Sequence, residues 1–355
     1  MIARSKIYLL LGLVAAFVLM KLPLNSYIYN IVVIIGVNII LAVSLNLVNG
    51  FTGQFSLGHA GFMAVGAYAS AAVTNVIGPK ILPADAYDSH YWQGALLFLS
   101  ALISGGLCAA LAGLCVGVPS LRLKGDYLAI VTLGFGEIIR VILQNMEVVG
   151  GARGWSVASQ YTNIFWTFAV AAITIYLVTS LVNSTYGRGF LAVRDDEIAA
   201  EAMGINTTKF KVIAFVVAAG FAGVAGGLYA HYIQFISPGG FDFMLSVSVV
   251  VMVILGGMGS TPGVILAAVL LTLLPEGLRW FAKSPLLDGI IRFVFHSLSP
   301  ENFAFANEKT KAFFENRMIF YSLLLIMFML LRPQGLFGDL NAARRADPTR
   351  MRKKG

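Results

Sequence analysis

The chain has 355 residues, of which 58% are hydrophobic and 12% charged, and its formal net charge is +8. Soluble domains average about 25% charged residues, so this composition excludes a disordered or nucleic-acid-binding chain and argues against a soluble enzyme. The charge is also unevenly placed: Leu22 to Pro79, Ser89 to Leu121, Gly154 to Gly187, Val212 to Phe241 and Phe243 to Pro275 contain no Lys, Arg, Asp or Glu.

A bilayer core about 30 Å thick takes roughly 20 apolar residues per helix. On that measure the chain reads as an all-α, polytopic transmembrane bundle of about ten spans. They fall near 7–23, 27–48, 60–78, 94–118, 127–149, 163–182, 212–234, 243–258, 262–279 and 318–331. Arg4 and Lys6 precede the first apolar run, which is read as an uncleaved span because no small-x-small cleavage site follows. The expected divisions are an N-terminal span in 1–26, a core over 27–280 with a cytoplasmic loop at 184–211, an extracytoplasmic or interfacial insertion over 281–316, a last span in 317–338 and a basic tail from 339 to 355.

Basic residues set the expected orientation. With both ends in the cytoplasm, fifteen basic residues fall inside and nine outside, and seven of the inner set, from Arg332 to Lys354, belong to the tail. Such a tail suits the anionic inner leaflet. Tyr91, Trp92, Trp155 and Trp280 fall at the expected outer boundary, where amphipathic rings prefer to sit. Cys108 and Cys115 lie seven apart in one apolar run, on one helix face, where a thiol packs as a small hydrophobe. No metal spacing is present.

Within the first long uncharged stretch, residues 49–61 read Asn-Gly-Phe-Thr-Gly-Gln-Phe-Ser-Leu-Gly-His-Ala-Gly. Irregular backbone at membrane depth survives only where protein buries it or it lines a wet cavity. The segment is therefore either a broken, re-entrant element on a solute path, with Asn49, Gln54, Ser56 and His59 as its polar lining, or a surface loop with glycines for packing. His59 alone suits a hydrogen-bonded packing residue better than a proton relay.

The fifth span carries Glu137 and Arg140. At i and i+3 they share a face and partly neutralise each other, as a structural pair or as a polar lining. Between the sixth and seventh spans, Asp195, Asp196 and Glu197 suit a helix start, Ala199, Ala200 and Ala202 favour helix and Gly204 can end it. This predicts a helix over Asp195–Met203 with an apolar edge of Ile198, Ala202 and Ile205, suited to pass force to a soluble partner. The pairs Gly113/Gly117 and Gly223/Gly227 predict close helix packing. The Gly-rich turn at 256–263 lacks the Gly-Lys-Ser/Thr of a phosphate loop, and no Walker A motif is present.

These motifs also carry a resemblance. Residues 46–62, 121–140, 194–206, 255–260 and 332–336, in that order, resemble signatures of the branched-chain amino-acid ABC transporter permeases, LivM-like subunits in particular. The resemblance covers roughly 30–280 and 317–338. It implies one half of a heterodimeric permease paired with a LivH-like subunit, two ATPase subunits, an extracytoplasmic solute-binding protein and a bacterial cytoplasmic (inner) membrane. It implies no cofactor on this chain, ATP and Mg belonging to the ATPases, and no enzyme activity of its own. The 194–206 run is similar to the coupling loop of importer permeases, which implies ATPase coupling by Arg194, Asp195, Asp196, Glu197, Ile198, Glu201, Ala202 and Gly204. One extra residue separates Glu197 from its two alanines relative to that pattern, and the 281–316 stretch is longer than the family linker. A urea/amide-type permease shares the layout. An ion-coupled secondary transporter and a simple pore are the readings of a different class.

Overall fold

The computed structural model describes residues 25–81, 92–120, 127–157 and 159–282, together with 322, 323, 326, 327 and 330. The expected first and last spans, the 281–316 insertion and the basic tail lie largely or wholly outside these residues, as does Tyr91. Among the described residues, eight helices are long and apolar enough to cross a membrane. They match the eight expected spans that fall there, and the chain is an all-α polytopic bundle.

In chain order the helices are α1 (Ser26–Asn46), α2 (His59–Ala72), the short α3 (Gly78–Ile81), α4 (Trp92–Ser120) and α5 (Tyr127–Asn145). Then come α6 (Ile164–Val182), α7 (Thr185–Asp195), α8 (Glu197–Ala202), α9 (Thr207–Ile233), α10 (Phe243–Gly256) and α11 (Thr261–Ala282). A π-helical turn, Leu47–Phe51, extends α1, and a second, Val73–Ile77, joins α2 to α3. Two-residue strands, β1 (Trp155–Ser156) and β2 (Phe235–Ile236), pair antiparallel.

The core is α1, α2, α4 and α9. Apolar tails of lipid offer helices no hydrophobic drive to associate, so close packing through small residues does that work. A β-carbon on Gly66 of α2 would sit 2.1 Å from the Cα of Gly223 in α9, and one on Gly113 of α4 would sit 2.5 Å from the Ala219 side chain. Of the predicted glycines, Gly113, Gly223 and Gly227 therefore mark helix contacts. The cysteines do share one face of α4, but that face is exposed beside Leu107, Leu111 and Leu114. The helix turns its small residues inward and leaves the larger ones outside.

The inter-helix connections gather at two ends. At one, β1 meets β2, the Asn75 amide donates to the Ser156 carbonyl (2.7 Å), and Tyr27 donates to Glu276, which also holds Arg279 at 3.1 Å. At the other lie the 47–58 segment, the α7–α8 loop and the 257–260 turn. This separation is what the alternation of spans along the chain requires.

Candidate coupling site and polar segment

Helix α1 does not end at a simple loop. After the π turn, residues 52–58 run without regular structure before α2 begins at His59. The segment alternates: Thr52, Gln54, Ser56 and Gly58 are buried, while Gly53 and Phe55 are exposed. Its backbone amides find partners inside the protein, as buried irregular backbone must. Gln54 N–H donates to the Val48 carbonyl (3.2 Å), Ser56 N–H to Asn49 Oδ1 (3.3 Å), Leu57 N–H to Thr132 Oγ1 (3.0 Å) and Ala60 N–H to Ser246 Oγ (3.0 Å). Thr132 lies five residues into α5, about 8 Å along its axis at 1.5 Å per residue. The chain therefore climbs back into the bundle before α2 starts.

The four polar residues predicted here are all buried, at 5% exposure or less. Asn49 and Ser56 meet through the backbone bond above. His59 Nε2 lies 2.9 Å from Ser44 Oγ, the hydrogen-bonded packing role expected of it. Gln54 differs: neither of its amide atoms has a partner, and the Nδ2 atoms of Asn46 and Asn49 also lack one. Gln54 lines a cavity of about 420 Å³ shared with Arg194, Glu197 and Lys211.

The α7–α8 loop forms the far wall of that cavity. Helix α7 is capped by Ser184, whose side chain accepts from Tyr186 N–H, and turns Phe190 fully inward. The predicted helix over Asp195–Met203 is divided. Asp195 is the last residue of α7 and ion-pairs with Arg194 at 2.7 Å. Asp196 is extended, and its Oδ1 accepts from the amides of Ile198 (2.9 Å) and Ala199 (3.0 Å). Of three consecutive acids only one can occupy the cap, where a side-chain oxygen satisfies amides the helix leaves free. Helix α8 is thus six residues long, Glu197–Ala202, instead of nine.

Gly204 ends it at φ +80°, with Gly204 N–H bonded to the Glu201 carbonyl and Ile205 N–H to the Ala200 carbonyl. This paired closure is the usual glycine C-terminus of a helix. The chain turns at once into α9, capped by Asn206 through Lys209 N–H. Two contacts clamp α8 to α9: Lys211 Nζ lies 2.6 Å from Glu197 Oε1, and Thr207 donates to Glu201 at 2.8 Å. Ala200 faces inward, while Ile198 and Met203 are 72% and 83% exposed. The apolar edge therefore comprises Ile198, Ala202 and Met203. Ile205 lies past the turn and is half-buried.

The polar segment, the α7–α8 loop and the glycine-rich turn meet at one point. Arg194 Nη1 donates to the Gly50 carbonyl (3.4 Å), and Asn46 Oδ1 accepts from Gly259 N–H (2.9 Å). A β-carbon on Gly50 would stand 2.1 Å from Asn46 Oδ1 and 2.3 Å from Gly259 N, so only glycine fits.

Glu137 and Arg140 form the predicted pair on α5 at 2.7 Å, each about one third exposed. They share the outer face of this span with Ile138 and Val141. Glu137 also borders a narrow crevice with Asp242 and Ser246, and Asp242 caps α10 through Leu245 N–H. Sequence reasoning did not single out Ser44, Asn46, Thr132, Lys211, Asp242 or Ser246 as site residues. Their only signal was polarity inside or at the edge of an apolar run. Among the described residues, no three His, Cys, Asp or Glu side chains are placed to hold a metal ion.

Comparison with known proteins fits this architecture. Residues 27–329 match the family model described as branched-chain amino acid transport system / permease component. The chain belongs to that permease family. It is 37% identical over 284 residues to the high-affinity branched-chain amino acid transport system permease protein LivM of Salmonella typhimurium, covering 70% of this chain and 63% of that protein. LivM of Escherichia coli matches to the same extent. The chain thus spans less than two thirds of the length of these two relatives. LivH of Escherichia coli is 32% identical over 128 residues, 35% of this chain and 40% of its own length. No solved structure matches. This family member is a multi-pass membrane protein whose relatives are named transport permeases.

Proposed function

We propose that the chain is a membrane-spanning subunit of an ATP-driven importer for branched-chain or related amino acids. It works in the bacterial inner membrane with both termini in the cytoplasm. It pairs with a LivH-like permease subunit, two ATPase subunits bind from the cytoplasm, and an extracytoplasmic binding protein delivers the solute. The observation that carries this reading is α8. A six-residue helix is capped at both ends, clamped to α9 by the buried Lys211, and presents Ile198 and Met203 outward. In this reading those side chains fill a cleft on an ATPase subunit, at about 25 cal/mol per Å² of apolar surface covered. Arg194, Asp195, Asp196, Glu197, Glu201 and Gly204 shape and hold the element.

The solute path in this reading follows the outer face of α5 and the start of α2. An ion pair about one third exposed and facing lipid is costly, so Glu137 and Arg140 face a second subunit or water. Asn49, Gln54, Ser56 and His59 support the backbone beside that path. An ion-coupled mechanism finds less support, because His59 is bonded to Ser44 and Glu137 to Arg140, which leaves neither as a free carrier.

The test is reconstitution of the chain with a LivH-like subunit, both ATPases and the binding protein in liposomes. Leucine, isoleucine or valine uptake should require ATP on the ATPase side and the binding protein on the other. Uptake of urea but not of amino acids would reassign the substrate. Uptake driven by a proton gradient without the ATPases would refute the proposal.

A further inference from the structure

We propose that Arg194 transmits movement of the α7–α8 loop to an inner gate formed by the π turn and residues 52–58. This rests on the importer reading and adds the route by which the loop acts on the membrane path.

Four observations meet at this place. The first is the contact itself. Arg194 is held to its own loop by Asp195, through Nε (3.0 Å) and Nη2 (2.7 Å), and Nη1 reaches the Gly50 carbonyl (3.4 Å) 144 positions away. Its aliphatic stem also lies against Gly53, where a β-carbon would come within 2.9 Å of Arg194 Cγ. One side chain therefore touches both the π turn and the start of the irregular segment. The planar guanidinium carries donors in fixed directions, which suits it to couple two backbones rigidly.

The second is the π turn. Such turns are uncommon and mark places where a helix departs from its regular ladder. This one contains Gly50, and the Asn46–Gly259 bond ties it to the turn between α10 and α11. A displacement of Gly50 thus reaches three parts of the bundle.

The third is the set of unpaired amide atoms: Nδ2 of Asn46 and Asn49 and both polar atoms of Gln54. Buried polar groups in native proteins are nearly always satisfied, and exceptions call for an explanation. Four such atoms within nine residues, from the end of α1 through the π turn to Gln54, fit a region with a second arrangement, in which these groups find partners in the chain or on the solute. The fourth is space. The cavity of about 420 Å³ lies between Gln54 and the loop residues Arg194 and Glu197, and the segment can move into it without displacing the packed core.

The experiment uses the assembled transporter. Phe55, exposed on the outward side of the segment, is replaced by cysteine in a background with Cys108→Ser and Cys115→Ser. Thiol labelling at position 55 is then compared without nucleotide and with vanadate-trapped nucleotide. The labelling rate should change severalfold on trapping in the parent. Arg194→Ala should abolish that change and lower amino-acid uptake at least tenfold while the ATPases still co-purify, because its side chain points at Gly50. Arg194→Lys, which keeps a charge and a donor, should restore part of both. Arg188→Ala, an exposed arginine of the same loop, should behave as the parent.

Parent-like uptake or parent-like labelling in Arg194→Ala overturns the proposal. So does loss of ATPase binding in that variant, which would make Arg194 a docking residue, or a labelling rate in the parent that ignores nucleotide. A parent complex without ATP-dependent uptake would instead refute the importer reading.

Discussion

Replacing Glu197 tests the clamp between α8 and α9. The Lys211 side chain is 7% exposed and Glu197 26%, so the pair is largely removed from water. Breaking a buried pair by deleting one partner costs about 3–5 kcal/mol, mostly from the charge left behind. The quarter exposure of Glu197 lowers this to about 2–3 kcal/mol. Glu197 is also the first residue of α8, where a negative charge adds about 0.3–1 kcal/mol. Glu197→Ala should therefore destabilise residues 196–206 locally by about 2–4 kcal/mol, and Glu197→Lys by more, because two cations would then meet. Hydrogen exchange of the α8 amides in the assembled complex reads this directly, as local opening at least tenfold more frequent. Helices α2, α4 and α9 should keep their protection. The double variant Glu197→Ala/Lys211→Met removes both charges and should recover most of the loss. If exchange in Glu197→Ala matched the parent, or if the double variant were as open as the single, the pair would not hold the loop and this reasoning would fail.

Gly204→Val places a β-branched residue at φ +80°. The strain should be about 1–2 kcal/mol or more, seen as weaker co-purification of the ATPases with the spans still folded. Gln54→Leu removes two unpaired buried polar atoms, so it should be thermally neutral or stabilising by about 1–3 kcal/mol. If the segment is a gate, the same variant should lose uptake, and unchanged uptake with unchanged melting would make Gln54 a packing residue. A cysteine introduced at position 350 should resist a membrane-impermeant reagent added outside intact cells, and rapid labelling would reverse the orientation.

The spans were legible because membrane solvation acts locally. Charge is disfavoured where a helix crosses, so gaps in charge outline most of the helices before any contact is known, α5 with its Glu137–Arg140 pair being the exception. The Glu137–Arg140 pair was legible for a related reason, since helix geometry brings i and i+3 together wherever they occur. The α7–α8 loop was legible as helical from its alanines and its terminal glycine. Its division was not, because three consecutive acids compete for one cap and backbone geometry around Asp196 decides among them.

Long-range contacts left no local trace. Asn46 meets Gly259 across 213 positions and Arg194 meets Gly50 across 144, and nothing in either neighbourhood names its partner. The glycines at 50, 53 and 259 were visible as an excess, without a reason for each. Sequence alone determined the membrane class, the helices and the residue types fit for a break in one of them, because these depend on a residue and its near neighbours. Tertiary structure decided that the broken segment faces the α7–α8 loop across a cavity, because that depends on how helices far apart in the chain approach through small residues and leave polar groups to meet between them.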